Sequence, residues 1–201
     1  MLCEKDEECE VIISMSSVTG RREHNLAGSP NGMRAFSALR EKTAQEPLVA
    51  EILFLDFKDV QIATASFLRE SVINFRDAVR RQHSNFYPVV ANANERVFEE
   101  LKLLIEAKGG AIMTCFLDEE GKPVKAVLLG ELDPKQRLTF DLVSKLGEVE
   151  ASSLSRQSSE EVKPTAWNNR LTALAGMGLI VEESQGRAKR YKRLFEEKID
   201  G

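Results

Sequence analysis

Basic and amide side chains gather near the C-terminal end of the chain. Over residues 163–195 the cations are Lys163, Arg170, Arg187, Lys189, Arg190, Lys192 and Arg193, and the anions are Glu182 and Glu183. Seven against two leaves +5, in a chain whose net charge is −4, so the rest carries −9. Positive charge concentrated on one short stretch of an acidic chain is the electrostatic footprint of a phosphate-backbone partner. Side chains that hydrogen-bond base edges or phosphates precede the basic run: Thr165, Asn168, Asn169, Arg170 and Thr172. With Arg187, Lys189, Arg190 and Lys192 they are the expected duplex-DNA contacts. A protein-docking surface or a solvated basic face are the alternatives for the same residues.

A second group is a hydroxyl cluster. The apolar run Ile52-Leu-Phe-Leu-Asp-Phe ends near Asp56, and Thr64-Ala65-Ser66 opens a helical pattern soon after. Hydroxyls favour helix N-termini, and helix N-termini attract anions. A phosphate on Ser66 would therefore sit at the positive end of that helix. The plainer role for Ser66 is that of an N-cap hydroxyl. Asp56, Thr64 and Ser66 are the expected regulatory or partner-binding residues.

Catalytic signatures are missing. There is no P-loop, no HExxH, no G-x-S-x-G and no GxGxxG. The two histidines, His24 and His83, have no cysteine or carboxylate at ligand spacing. The adjacent arginines of Gly20-Arg-Arg-Glu-His24 could hold an anion, though such a pair is more often solvated surface. The expectation is a protein that is not an enzyme and takes no metal or cofactor. Cys3, Cys9 and Cys115 lack metal-type spacing and read as reduced thiols. The N-terminus is acidic with no apolar h-region, and no apolar run approaches the ~20 residues that span a bilayer. A cytoplasmic protein without membrane contact is expected.

The elements that position these residues follow from periodicity. Residues 1–9 read as a flexible acidic tail and 20–32 as a long loop. Strands are expected at 11–15, 52–57, 86–90, 111–117 and 123–129, and helices at 33–43, 65–82 and 94–108. The continuous apolar run at 52–57 predicts a strand covered on both faces. Asp133-Pro134 starts a new unit with a helix stopped by Gly147, then a short helix near 150–157, a polar turn at Ser158-Ser-Glu-Glu and a third helix from Pro164 or Thr165. In that helix Trp167, Leu171 and Leu174 share one face, which sends Thr165, Asn168, Asn169 and Thr172 outward. The fold class is α/β, with an α/β domain over 10–131 and an α+β unit over 132–201.

The pattern Arg170-Leu171-x-x-Leu174-x-x-x-Gly178-Leu179-Ile180 resembles the helix ending of many winged helix-turn-helix families. That resemblance implies a recognition helix and a wing turned at Gln185-Gly186, in proteins that bind DNA, often as homodimers, or that dock proteins. Thr64-Ala65-Ser66-Phe67, with Pro88-Val-Val-Ala-Asn92-Ala-Asn-Glu, resembles a STAS-like group of domains related to the anti-sigma-factor antagonists. It implies a small mixed sheet with helices and a docking face for a partner ATPase of the GHKL type, with Ser66 at the position phosphorylated in antagonists. In this chain Thr64 replaces that pattern's Asp and Phe67 its Gly. The joint expectation is a transcription regulator whose STAS-like domain senses or binds a partner and whose winged helix binds duplex DNA. The alternative is a protein-interaction adaptor docking such an ATPase, with the winged helix as a second docking surface.

Overall fold

The computed structural model describes residues 11–157, 163–185 and 188–195. The acidic tail, the polar turn at 158–161, Gly186 and Arg187 lie outside the described residues.

Five strands form the main sheet: β1 (Val11–Ser14), β3 (Glu51–Asp56), β5 (Phe86–Ala91), β6 (Ala111–Leu117) and β7 (Pro123–Gly130), side by side in that order. The first four are parallel, and β7 returns antiparallel to β6. The helices between the parallel strands are α1 (Ser29–Lys42), α2 (Ala65–Leu68) running through a π turn (Arg69–Ile73) into α3 (Asn74–Arg81), and α4 (Glu95–Lys108). Each crossover moves the chain the same way across the sheet. Right-handed crossovers then put every helix on one face. The core obeys this rule: Leu53, Leu55, Phe86 and Val90 pack with Leu39, Phe67, Val72, Phe75, Val97 and Leu101.

The opposite face would be a bare apolar wall of Phe54, Tyr87, Val89, Ala91, Met113 and Leu128. The C-terminal segment covers it, and these residues share a second core with Phe140, Val143, Trp167, Leu171, Leu174, Leu179, Ile180 and Tyr191. Phe54 and Phe195 stack with ring centroids 6.4 Å apart. The covering segment is α5 (Pro134–Leu146), β8 (Glu148–Val149), α6 (Ala151–Gln157), α7 (Pro164–Gly176), β9 (Ile180–Gln185) and β10 (Ala188–Arg193). Its small sheet has the order β8-β10-β9, antiparallel throughout.

Local chemistry sets the boundaries. Asp133 caps α5 by accepting from the Lys135 and Gln136 amides, and Gly147 ends it at φ +81°. Gly178, at φ +76°, closes α7: the Leu179 amide reaches the Leu174 carbonyl and the Gly178 amide reaches Ala175.

The expected loop at 20–32 is partly ordered. α1 begins at Ser29, with Pro30 in its first turn, and β2 (Asn25–Leu26) pairs in parallel with β4 (Ile62–Ala63). The expected helix at 65–82 contains the π turn. There α1 crosses so closely that a Cβ on Gly32 would lie 2.8 Å from both the Phe67 carbonyl oxygen and the Glu70 Cβ. The ends of β1 and β3 also fall a residue or so from expectation.

Candidate functional site

The basic strand β10 is built by its register. Glu182 stands opposite Tyr191, Glu183 opposite Arg190, and Glu148 opposite Lys192. Side chains on one face of an antiparallel pair reach direct and diagonal partners. Lys189 accordingly contacts Glu182 at 2.6 Å, and Lys192 contacts Glu183 at 2.8 Å and Glu148 at 3.8 Å. Arg190 contacts Glu148 at 3.2 Å and Glu150 at 3.5 Å. The glutamate hydrogen bonds hold the Lys189 and Lys192 ammonium groups above the ordinary lysine value. Three β10 cations thus meet carboxylates within the protein, and two of those carboxylates, Glu148 and Glu150, come from outside the basic stretch. The positive charge is smaller than sequence counting indicates. Arg187 lies outside the described residues.

On α7, Trp167, Leu171 and Leu174 are fully buried, as the apolar spacing predicts. The exposed stripe is Thr165, Asn169, Ala173 and Gly176. Asn168 and Thr172, expected to face outward, instead turn towards β10. The Tyr191 hydroxyl lies 3.0 Å from the Thr172 hydroxyl and donates to Asn168 Oδ1 at 3.3 Å. The physical reason is that Tyr191 is buried between α7 and the sheet and its hydroxyl needs partners. Burial, chiefly, pushes the Tyr191 phenol above its ordinary value. Arg170 is half-buried, its guanidinium 4.7 Å from the Trp167 ring centroid. Thr165 and Asn169 are the two of the five α7 candidates that stand exposed.

The hydroxyls gather at the helix start, but the N-cap is Thr64 and not Ser66, which lies inside α2 as its second residue. Thr64 caps α2, accepting from the Phe67 amide at 3.4 Å and the Gly28 amide at 3.2 Å, with the Ser66 hydroxyl 3.1 Å away. The helix start is already engaged by a carboxylate: Glu100 Oε2 accepts from the Ala65 amide at 3.2 Å. A phosphate on half-buried Ser66 would meet that charge. Asp56 works elsewhere. It accepts from the Lys58 amide at 3.0 Å and from Asn92 Nδ2 at 2.8 Å, while Asn92 Oδ1 accepts from the Leu117 amide. These bonds tie together the ends of β3, β5 and β6.

Two residues that sequence reasoning did not single out join the C-terminal segment to the main sheet. Arg80 Nε donates to the Ala175 carbonyl at 3.2 Å, and its Nη1 donates to Ser84 and Phe86 carbonyls at 2.7 and 3.0 Å. The guanidinium lies 3.9 Å from the centroid of the Tyr87 ring, and the Tyr87 hydroxyl accepts from the Glu182 amide at 2.9 Å. Their sequence signal is slight: Arg80 reads as one more cation of an amphipathic helix.

Among the described residues no group of His, Cys, Asp or Glu is placed to hold a metal ion, and no helix is long and apolar enough to cross a membrane. Cys115 is buried and free of disulfides, while Cys3 and Cys9 lie outside the described residues. No known family model matches this chain, and no curated protein matches it in sequence.

Proposed function

We propose that the chain is a DNA-binding transcriptional regulator of the cytoplasm. Its residues 132–195 act as a winged helix-turn-helix, and its α/β part acts as a STAS-like partner-binding or sensing domain. The observation that carries the reading is the order α5-β8-α6-α7-β9-β10, with β8 beside β10 and a hairpin between β9 and β10. That is the arrangement in which a winged helix offers its last helix to the major groove and its hairpin to the backbone.

Thr165, Asn169 and Arg170 are the α7 side chains assigned to bases and phosphate. Asn168 and Thr172 serve to hold α7 on β10, and the paired lysines of the wing supply the weaker, sequence-independent part. The test is binding of Asn169→Ala and Arg170→Ala to random and selected duplexes. Loss confined to selected sequences for Asn169→Ala, with a general loss for Arg170→Ala, supports the assignment. Native affinity in both removes α7 from the interface.

The second reading, an adaptor that docks an ATPase of the GHKL type and uses its winged helix to bind a protein, is favoured by one observation. The glutamates against Lys189, Arg190 and Lys192 leave the wing with less charge for phosphate. Recovery of such an ATPase with the chain, together with absent DNA binding at low salt, supports it. A homodimer, expected for paired half-sites, is part of the first reading and is checked by light scattering with and without DNA.

A further inference from the structure

A groove of about 740 Å³ runs along the seam between the main sheet and the C-terminal segment, lined among others by Leu48, Val49, Arg80, Tyr87, Thr172 and Lys189. It lies within the usual size range of small-molecule sites. Both carboxylates of the lining, Glu182 and Glu183, are already engaged by lysines, Lys189 at 2.6 Å and Lys192 at 2.8 Å. Arg80 is only 6% exposed, yet among the described residues no carboxylate pairs with it. The other buried arginine, Arg76, has Asp77 at 2.8 Å. Buried cations ordinarily have a counter-charge.

The donors of Arg80 show where such a charge belongs. Nε and Nη1 are spent on carbonyls, and Nη2 has no acceptor among the described residues. Nη2 is not among the sealed polar atoms without a partner, which are Ser144 Oγ and Trp167 Nε1, so it keeps some accessible surface on a residue that lines the groove. Tyr87 lines the same groove, and its hydroxyl is engaged on one side only. It accepts from the Glu182 amide, and its own proton has no acceptor among the described residues. Beside these donors stand Leu48 and Val49, 99% and 74% exposed.

We propose that this groove is a binding site for a small organic carboxylate. Its carboxylate accepts from Arg80 Nη2 and the Tyr87 hydroxyl, and its apolar body covers Leu48 and Val49. A guanidinium donating in-plane is suited to a carboxylate. Because Arg80 also holds the Ala175 carbonyl, the ligand would sit against the last turn of α7. The site itself does not rest on the DNA-binding reading.

The test is a titration of the full chain with sodium hexanoate, following the Arg80 Nε–Hε NMR signal, with hexanamide and inorganic phosphate as controls. A saturable shift with hexanoate, absent with hexanamide and roughly tenfold or more weaker with phosphate, is expected, since the charge-assisted bonds and the apolar contact are both required. Leu48→Glu, at a side chain outside the core, weakens hexanoate by about tenfold or more with the fold intact by circular dichroism. No saturable shift by ~50 mM, which is weaker than any useful affinity, overturns the proposal. So does an equal response to hexanamide or to phosphate, or a Leu48→Glu protein that binds as the native one does.

Discussion

If the proposed DNA-binding function holds, removing the glutamates that face β10 should strengthen polyanion binding. Glu148, Glu182 and Glu183 hold Lys189, Arg190 and Lys192 at 2.6 to 3.2 Å in their closest contacts. These side chains are between 23% and 44% exposed, and exposed pairs contribute ~0–1 kcal/mol each, so Glu→Gln at all three positions leaves the fold in place. The net charge moves from −4 to −1, since −4 + 3 = −1. Arg190 keeps Glu150 at 3.5 Å, so the variant frees Lys189 and Lys192. Each cation released to neutralise a phosphate steepens the slope of log K against log[salt] by about 0.9, so two steepen it by about 1.8, and between 50 and 200 mM salt the loss of affinity is roughly 12-fold larger than the native chain shows. The assay is fluorescence polarisation on a random-sequence duplex over a salt series. A triple variant with the native slope refutes the reasoning, because the wing would then not touch phosphate.

Three further outcomes follow from packing and charge. Gly32→Ala forces a Cβ to 2.8 Å from backbone and side chain of the neighbouring helix, so it destabilises by about 1–3 kcal/mol in chemical denaturation, although alanine is the better helix former. A stabilised variant would contradict the close crossing. Burial raises the Asp77 pKa, but Lys108 and Arg76 more than offset it and hold the carboxyl below its ordinary 3.8. A depressed carboxylate contributes stability above its unfolded value and loses it as pH falls through the folded one, so Asp77→Asn weakens the chain at pH 7 and the difference closes below 3.8. A gap that persists unchanged in acid would contradict this. Ser66→Asp lowers the melting temperature because Glu100 already accepts from the Ala65 amide, and Glu100→Gln reduces that penalty in a double-mutant cycle. Additive effects would show that the two positions do not meet.

Much of the fold was legible because local rules and tertiary demands agree. Asp133-Pro134 and Gly147 fix α5 from end to end, Gly109 and Asn94 bound α4, and the spacing of Trp167, Leu171 and Leu174 identifies the buried face of α7. The apolar run around Phe54 predicted a strand covered twice, and the second cover is the C-terminal segment itself. Nothing local says which element supplies that cover, because it is set by the one-directional strand order.

The candidate site was less legible for the same reason. Charge counting in one stretch misses Glu148 and Glu150, which reach Arg190 only through the β8–β10 pairing. Helical spacing alone sent Asn168 and Thr172 outward, whereas the buried Tyr191 hydroxyl claims both. Ser66 was placed at a helix start correctly, but the neighbouring Glu100 comes from a different helix. Arg80 had no pattern to announce it, since its importance lies in the carboxylate that does not face it.

Under the proposed function, α7 and the β9–β10 hairpin read duplex DNA. The most direct test is polarisation binding of the full chain to a random-sequence duplex from low to physiological salt, alongside Arg170→Ala. Salt-sensitive binding that Arg170→Ala weakens, with circular dichroism unchanged, is the expected result. Absence of binding at the lowest salt, or binding that Arg170→Ala leaves untouched, would contradict it.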